Sequence, residues 1–572
     1  MASNPVSRKT FLKLAGLTSG ASLLGGKSLL AGPSPVSDSL HEAPPGSILS
    51  SPVTVQSGFR QGELPLILDA NVGLGRFSYG LNSDLAETSQ TLGHLQKSGI
   101  QQALTYSVLS RQTDPEEGNA IVLEEARTHN EILPVSVLTP FAMDLDAEIE
   151  RMNRHDIQVA RLFPEAGHFS VQPSVIGPLV ETLQRHRKIL FIDFESLDWS
   201  GRAIDYDAVY QLCRAFPDGP IVLIGSTILG SRNYPNLMKE CPNLYLEISQ
   251  IFQPGGISGL IEQGYGRRLI FGSAFPEREP GALLNMLAHA GLTPRQMADI
   301  CSGNLLRLLG ENINDRSVLI KRSSSKGMID MHVHQGTYQS AIGMETPEKT
   351  IEHMDRCGVD VVVATSLWSC FGEVERGNRA VCEGGEAWPG RYFGYLTLDP
   401  KYPDEVQQQI DLYGNHPSFR GIKLHLMLHE LTIDDSRNDL IYKFADQRGW
   451  PLLIHGDGTI AAWEQRCGAY PNAHFIKAHI GGSDPKFNEE TTEFAKAARR
   501  QKNLYLDCGY SRTFPGALDR LAAICGADKL LFGSDYPMFD FAFEAGRITS
   551  SSLSDEQKQL ILQGNARRLL RL

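Results

Sequence analysis

The chain has 572 residues, which is too long for one ordinary domain and long enough for two α/β barrels of about 250 residues each. Hydrophobic residues make up 41% and charged residues 21%, the balance of a folded globular protein. A formal charge of −12 excludes the basic face that nucleic-acid binding requires, and no apolar run reaches the roughly 18–20 residues that would span a bilayer. The nine cysteines are scattered, odd in number and without a C-x-x-C pair. They suit neither a disulfide framework nor a zinc ribbon, and are expected as buried thiols.

Residues 1–32 begin with a charged stretch, Ser7-Arg8-Lys9-Thr10-Phe11-Leu12-Lys13, followed by a modestly apolar run. This resembles a twin-arginine export signal with Lys9 in place of the second arginine. It implies a periplasmic or extracellular protein; without a working signal the chain is cytoplasmic. Residues 33–63 are rich in Pro, Ser and Gly and are expected to be linker. From residue 64 short β-branched runs alternate with longer amphipathic stretches. Strands are expected at 66–69, 102–108, 133–138, 157–163, 188–194, 220–226, 243–248 and 268–272. About eight strand–helix units in about 250 residues predict a (β/α)8 barrel over 64–311. The polar, basic segment 312–326 is a second linker, and the alternation resumes over 327–572.

The two halves repeat each other. Thr91-Leu92-Gly93-His94 matches Thr350-Ile351-Glu352-His353, and Gly118-Asn119 matches Gly377-Asn378. Asn243-Leu244-Tyr245-Leu246-Glu247 matches Asn503-Leu504-Tyr505-Leu506-Asp507, and Phe271-Gly272-Ser273 matches Phe532-Gly533-Ser534. Gly303-Asn304 matches Gly564-Asn565. Matches in one order at a near-constant offset of about 260 residues indicate domain duplication, so the expected fold is two tandem TIM-like barrels.

The second half carries a constellation of metal-binding residue types. His332 and His334 lie two apart on a strand, so their rings share a face. His455 ends Pro451-Leu452-Leu453-Ile454, His479 ends Phe475-Ile476-Lys477-Ala478, and Asp535 follows Phe532-Gly533-Ser534. Lys423 and His425 lie in Gly421-Ile422-Lys423-Leu424-His425. Each sits where a strand gives way to a loop, and in a barrel those strand ends converge on one face.

Together these motifs resemble the amidohydrolase superfamily, in the amidohydrolase-related branch that includes aminocarboxymuconate-semialdehyde decarboxylase. The resemblance rests on Ile329-Asp330-Met331-His332-Val333-His334, Gly421-Ile422-Lys423-Leu424-His425, Phe532-Gly533-Ser534-Asp535-Tyr536-Pro537 and Gly564-Asn565-Ala566-Arg567-Arg568-Leu569. It covers 327–572 closely and 64–311 more weakly. It implies that His332, His334, His455 and Asp535 bind one divalent metal ion, zinc first, with manganese or iron also suited to nitrogen and oxygen ligands. Asp535 would also serve as general base, and His479 would hold water or substrate. Lys423 either faces a substrate carboxylate or, carbamylated, bridges two metals; the mononuclear reading is preferred.

At the matched positions the first half carries Asn71, Gly73, Asp193, Thr227 and Ala274, with Arg161 and Phe163 for Lys423 and His425. That barrel is therefore expected to be a metal-free pseudoenzyme, packed on the second as a partner subunit would be. The expected function is hydrolysis of a C–N or C–O bond in a small, carboxylated substrate by metal-activated water. The same ligand set also serves a non-oxidative decarboxylase, and a non-catalytic scaffold is the alternative from another class. Trp368 and Arg376 are candidate substrate contacts along with Lys423 and His425. Phe371, Glu373, Asn378, His429 and Glu430 share the loops after the second and fourth strands.

Overall fold

The computed structural model describes residues 66–78, 85, 87–141, 143–194, 204–225, 232–311, 318, 320, 327–338, 342–479, 489–509 and 514–572. The export-like segment, the 33–63 linker, Thr227 and all of 312–326 except Val318 and Ile320 lie outside the described residues.

The first half contains β1 (Leu68–Leu74), β2 (Gln102–Ser107), β3 (Ile132–Pro134), β4 (Ser136–Val137), β5 (Val159–Leu162), β6 (Ile189–Asp193), β7 (Ile221–Ile224), β8 (Leu244–Glu247) and β9 (Leu269–Ile270). Its strands pair in parallel along the sequence, β1-β2-β3 and then β4 to β9. β3 and β4 are two pieces of one strand. Between them the Val135 N–H still donates to the Thr105 carbonyl at 2.9 Å. The ring closes where the Ala70 and Gly73 N–H groups donate to the carbonyls of Phe271 and Phe275, at 3.0 and 2.8 Å.

The second half contains β10 (Met328–Tyr338), β11 (Ile342–Glu345), β12 (Val359–Ser366), β13 (Tyr392–Thr397), β14 (Phe419–His425), β15 (Pro451–His455), β16 (His474–Lys477), β17 (Leu504–Asp507) and β18 (Leu530–Leu531). Eight of these form the parallel series; β11 adds antiparallel to the long end of β10. Closure repeats that of the first half, with Met331 N–H to the Phe532 carbonyl at 2.9 Å and His334 N–H to Tyr536 at 2.6 Å. These are two tandem (β/α)8 barrels, as the alternation predicts. Every expected strand is present. The expected 66–69 segment extends to Leu74, because Asp69 and Asn71, poor strand formers on propensity, are buried in the closure of the ring.

The repeated motifs prove to be fasteners of the frame. Asn243 Nδ2 donates to the carbonyls of Cys213, Phe216 and Gly219, and Asn503 does the same to Cys467, Tyr470 and Ala473. Asn304 ties Gly266 and Leu269 as Asn565 ties Ala527 and Leu530. Asn119 and Asn378 each donate to a strand carbonyl, Val137 and Thr397. Such bonds satisfy buried carbonyls that the parallel ladder leaves over. Gly377 is required by close approach, since a Cβ there would lie 2.6 Å from the Ser369 nitrogen; Gly118 meets Ser110 in the same way. All nine cysteines are buried and none is in a disulfide. Among the described residues no helix is long and apolar enough to cross a membrane.

The helix Pro280–His289 of the first half lies against Phe541–Ser550 of the second. Asn285 Nδ2 donates to the Ala542 carbonyl at 2.7 Å across this contact. At Gly546 an added Cβ would stand 2.7 Å from the Gly281 carbonyl oxygen and 2.8 Å from Ala282 Cα, both backbone atoms that cannot rotate aside. Gly546→Leu should therefore force the two helices apart and destabilise the chain by about 1–3 kcal/mol, read as a lower midpoint in thermal unfolding.

Candidate metal centre

β10 runs buried into the C-terminal mouth of the second barrel and delivers His332 and His334 side by side, with ring centroids 5.1 Å apart. Neighbouring strand ends add Lys423 and His425 from β14, His455 from β15, His479 just past β16, and Asp535 from the loop after β18. His479 lies 4.9 Å from His332 and 4.7 Å from His455, ring to ring, and His455 lies 4.2 Å from His425. His334 Nε2 is 3.0 Å and His332 Nε2 3.4 Å from Asp535 Oδ1. Ligand atoms of His332, His479 and Asp535 all lie within 4.8 Å of one another. His332, His334 and Asp535 thus meet directly, and His455 reaches them through its contact with His479. His479, expected beside the ion and not as a ligand, stands in that group of three, whereas His334 and His455 do not.

Three of the rings are oriented by a bond at Nδ1. His332 Nδ1–H donates to Asp507 Oδ2 at 2.7 Å, and His479 Nδ1–H donates to the Gly509 carbonyl at 3.1 Å. His334 Nδ1 pairs with the Thr365 hydroxyl at 2.5 Å. Each ring thereby turns its Nε2 inward, where His334 Nε2 meets Asp535 and His332 Nε2 meets Lys423 Nζ, contacts that a bound cation would replace; a bond at Nδ1 is how proteins fix the tautomer of a metal-ligating histidine. Lys423 Nζ lies 2.9 Å from His332 Nε2, on the side such an ion would occupy. The donor set of imidazole nitrogens and one carboxylate fits a divalent cation with borderline or hard preferences.

Burial pushes the His332, His425 and His455 imidazoles well below their usual range, and His479 down to about 4, so these rings are neutral at pH 7. Burial also lowers the Lys423 amine. For His334 burial acts in the same direction, but hydrogen bonds to Asp535 and Cys370 outweigh it and hold the ring above its ordinary value. Burial would raise Asp535; the bond from His334 reverses that and holds the carboxylate below its usual range. Asp507 is pushed up to about 6 by burial, against backbone bonds from Gly509 and His479.

Trp368 and Arg376 form one unit, the guanidinium 4.3 Å over the indole ring. A Cβ at Gly336, two residues past His334, would meet Trp368 Nε1 at 3.9 Å, which places the pair beside the end of β10. His425 belongs to the histidine cluster, and its Nδ1 accepts from the Leu428 N–H at 3.4 Å. Asn378 is the fastener described above and faces a strand. Sequence reasoning missed Asp507, which orients His332; its signal was the acid retained at the matching position, Glu247. It also missed Cys370, a buried thiol that helps to hold the His334 ring above its ordinary value.

Among the described residues two other groups could gather metal-ligating atoms, His353-Cys357-Asp540 and Cys382-Glu386-His416. In the former, Arg356 donates to His353 Nδ1 at 2.7 Å, so the ring's Nε2–H is committed to Asp540 Oδ2, also at 2.7 Å. The first barrel repeats that pair as His94 with Glu279, at 3.0 Å, which marks it as a fastener.

In the first barrel the matched positions hold Asn71, Gly73, Asp193 and Ala274. The Arg161 guanidinium, from the position of Lys423, donates from Nη2 to Asn71 Oδ1 at 2.7 Å and pairs with Asp193. It lies 4.3 Å over the Tyr106 ring and is 1% exposed. Glu247 accepts from the Ser249 N–H and hydroxyl, both at 2.8 Å.

A family model described as amidohydrolase matches residues 90–310 and 329–572. Among curated proteins nothing matches the chain. Similar solved structures include a putative amidohydrolase from Staphylococcus aureus, with 16% identity over 43% of this chain and 100% of that one, TM-score 0.35. A 5-carboxyvanillate decarboxylase from Sphingomonas paucimobilis has 14% identity over 43% and 100%, TM-score 0.34. A dihydroxybenzoic acid decarboxylase from Polaromonas, with bound manganese, has 14% identity over 43% and 98%, TM-score 0.35. The two family matches fall on the two barrels and together span most of the sequence, and the chain is a member of the amidohydrolase family in tandem duplication.

Proposed function

We propose that the second barrel is a metal-dependent hydrolase acting on a C–N or C–O bond of a small, carboxylated substrate. In this reading His332, His334, His455 and Asp535 hold one divalent cation, zinc or alternatively manganese or iron, with His479 beside it. The observation that carries the reading is the set of rings fixed at Nδ1, with Nε2 atoms facing one ionised carboxylate. A divalent ion bound there supplies the positive charge that lowers the pKa of water towards neutrality and polarises a substrate oxygen.

The protein's own groups do the rest. Asp535, an ionised carboxylate among the histidines, takes up the proton released by the attacking water at the oxygen not used to hold the cation and can return it to the leaving group. His479, neutral and with Nδ1 committed to Gly509, offers an acceptor nitrogen to water or substrate. Lys423, a buried amine beside the centre, matches a substrate carboxylate. That feature suits a non-oxidative decarboxylase equally well, and the product separates the two: released carbon dioxide, or a new amine, acid or alcohol.

In the same reading the first barrel holds no metal. Arg161 supplies a fixed monovalent cation between Asn71 and Asp193, where the second barrel presents His332 and His455. The two barrels form a pseudo-dimer, for which the Gly281–Gly546 crossing and the Asn285 bond are the support.

The purified full-length chain should contain about one equivalent of divalent metal, lost in His332→Ala, by mass spectrometry of metal content. Two equivalents would favour a bridge through carbamylated Lys423, and none would favour a scaffold. Asp507→Asn weakens the orienting bond to His332 and should reduce metal affinity about 10–100-fold in chelator competition. In the first barrel, burial raises Glu247 from 4.5 to about 8. The unfolded chain therefore loses this proton well before the folded one, and stability declines as pH rises from about 4.5 to about 8. Glu247→Gln, which can keep both bonds to Ser249, should lessen that decline, measured as the change in unfolding temperature between pH 5 and pH 8.

A further inference from the structure

The loop that brings Asp535 to the candidate site does not rest on its own barrel alone. On one side the Asp535 N–H donates to the His332 carbonyl at 2.8 Å, and the Met538 N–H donates to that of Asp535 at 2.9 Å. On the other side the loop leaves its barrel. Phe539 stacks on Phe252 of the first barrel, centroids 4.7 Å apart and planes 16° from parallel. The Asp540 N–H donates to the Phe252 carbonyl at 2.8 Å. Phe252 meets Phe543 as well, at 5.5 Å.

Phe252 is itself fixed. It is 2% exposed, and the Arg278 guanidinium lies 5.3 Å over its ring while donating to Gln250 Oε1 at 2.7 Å. Met538, Phe539 and Phe543 pack into the core cluster of the first barrel and are absent from that of the second. The segment from Asp535 to Asp540 is thus pinned at its start by β10 and at its end both by the other barrel and by the bond of Asp540 to His353 of its own. Asp535 has a left-handed backbone, φ 61°. Aspartate tolerates this conformation better than most residues and the barrel-closing bonds hold the turn itself, so the flank from Met538 to Asp540 bears on how far the carboxylate can shift about that turn.

Resting on the metal reading above, we propose that Phe252 is a positioning residue, through which the first barrel sets the placement of the Asp535 carboxylate and hence the cation affinity of the second. The inactive copy then serves as the anvil against which the ligand loop is held.

The test uses the full chain stripped of metal and titrated with Zn2+ against a fluorescent chelator. Alongside it, hydrogen exchange is followed over 535–541 in the metal-free protein. Phe252→Ala should weaken Zn2+ binding about 10–100-fold and speed exchange of the Asp540 amide. Leu212→Ala, a buried truncation on the helix Tyr206–Ala215 of the same barrel, should lower the unfolding temperature and leave both readouts near wild type. If Phe252→Ala does not fold, Phe252→Leu, which keeps apolar bulk without the ring stack, should show the same changes to a smaller degree. Wild-type affinity and wild-type exchange in a destabilised Phe252 variant would overturn the proposal. If the wild-type chain binds no Zn2+, the metal reading fails, and unchanged exchange at Asp540 in the variant would then overturn the positioning role separately.

Discussion

One carboxylate oxygen in each barrel holds the ring closed. Asp330 Oδ1 accepts the N–H of His332 at 2.9 Å and of Ser534 at 3.1 Å, and so joins the first strand to the turn after the eighth. Asp69 Oδ1 does the same for Asn71 and Ser273, both at 2.9 Å. Both groups are fully buried, and burial pushes Asp330 well above the carboxylate range and Asp69 up to about 6. Backbone donors oppose that shift in each case. Whatever chemistry the mouth of either barrel supports depends on this closure, because it sets the spacing between the β10 histidines and the Asp535 loop, and between their counterparts in the first half.

Frame and chemistry are thereby separable in this chain. The asparagine fasteners, the close-approach glycines and the closing aspartate recur in both barrels. The side chains at the strand ends do not. Where the second barrel aims neutral imidazoles and an amine at one centre, the first places a guanidinium between an amide and a carboxylate and leaves glycine and alanine at the other positions. An acid at the end of β8 and β17 persists in both, yet its use differs. Asp507 orients a histidine ring, whereas Glu247 turns back to its own loop at Ser249.

Much of this was legible in the residues. The strand–helix alternation gave both barrels, and the His-x-His pair with histidines and an aspartate at later strand ends gave the cluster. Motif matches located the repeat but not its meaning: Asn243, Asn304 and Asn119 bond carbonyls contributed by other elements, which no local pattern reveals. The length of β1 was hidden because Asp69 and Asn71 are poor strand formers that tertiary bonds hold in place. Asp507 and Cys370 escaped notice because their importance lies in what they touch. A carboxylate ending an apolar run reads as an ordinary strand end until the histidine it orients is brought beside it from 175 residues away.

The backbone shows why the two barrels keep one shape at this turn while carrying different side chains. His479 and Asp535 both adopt positive φ, 56° and 61°, a conformation that histidine and aspartate tolerate better than most side chains. Ala274, at the position of Asp535, has φ 57° although it has no polar side chain to gain from it. Its conformation is imposed by its neighbours: Ser273 N–H is held by Asp69, Phe275 N–H by the Ser273 hydroxyl at 3.1 Å, and Gly73 N–H by the Phe275 carbonyl. The same bonds surround Asp535 through Ser534, Tyr536 and His334. The turn is therefore a property of barrel closure, and the carboxylate is an addition to it. A frame that dictates the turn regardless of the side chain accepts alanine in one barrel and aspartate in the other with nearly the same backbone.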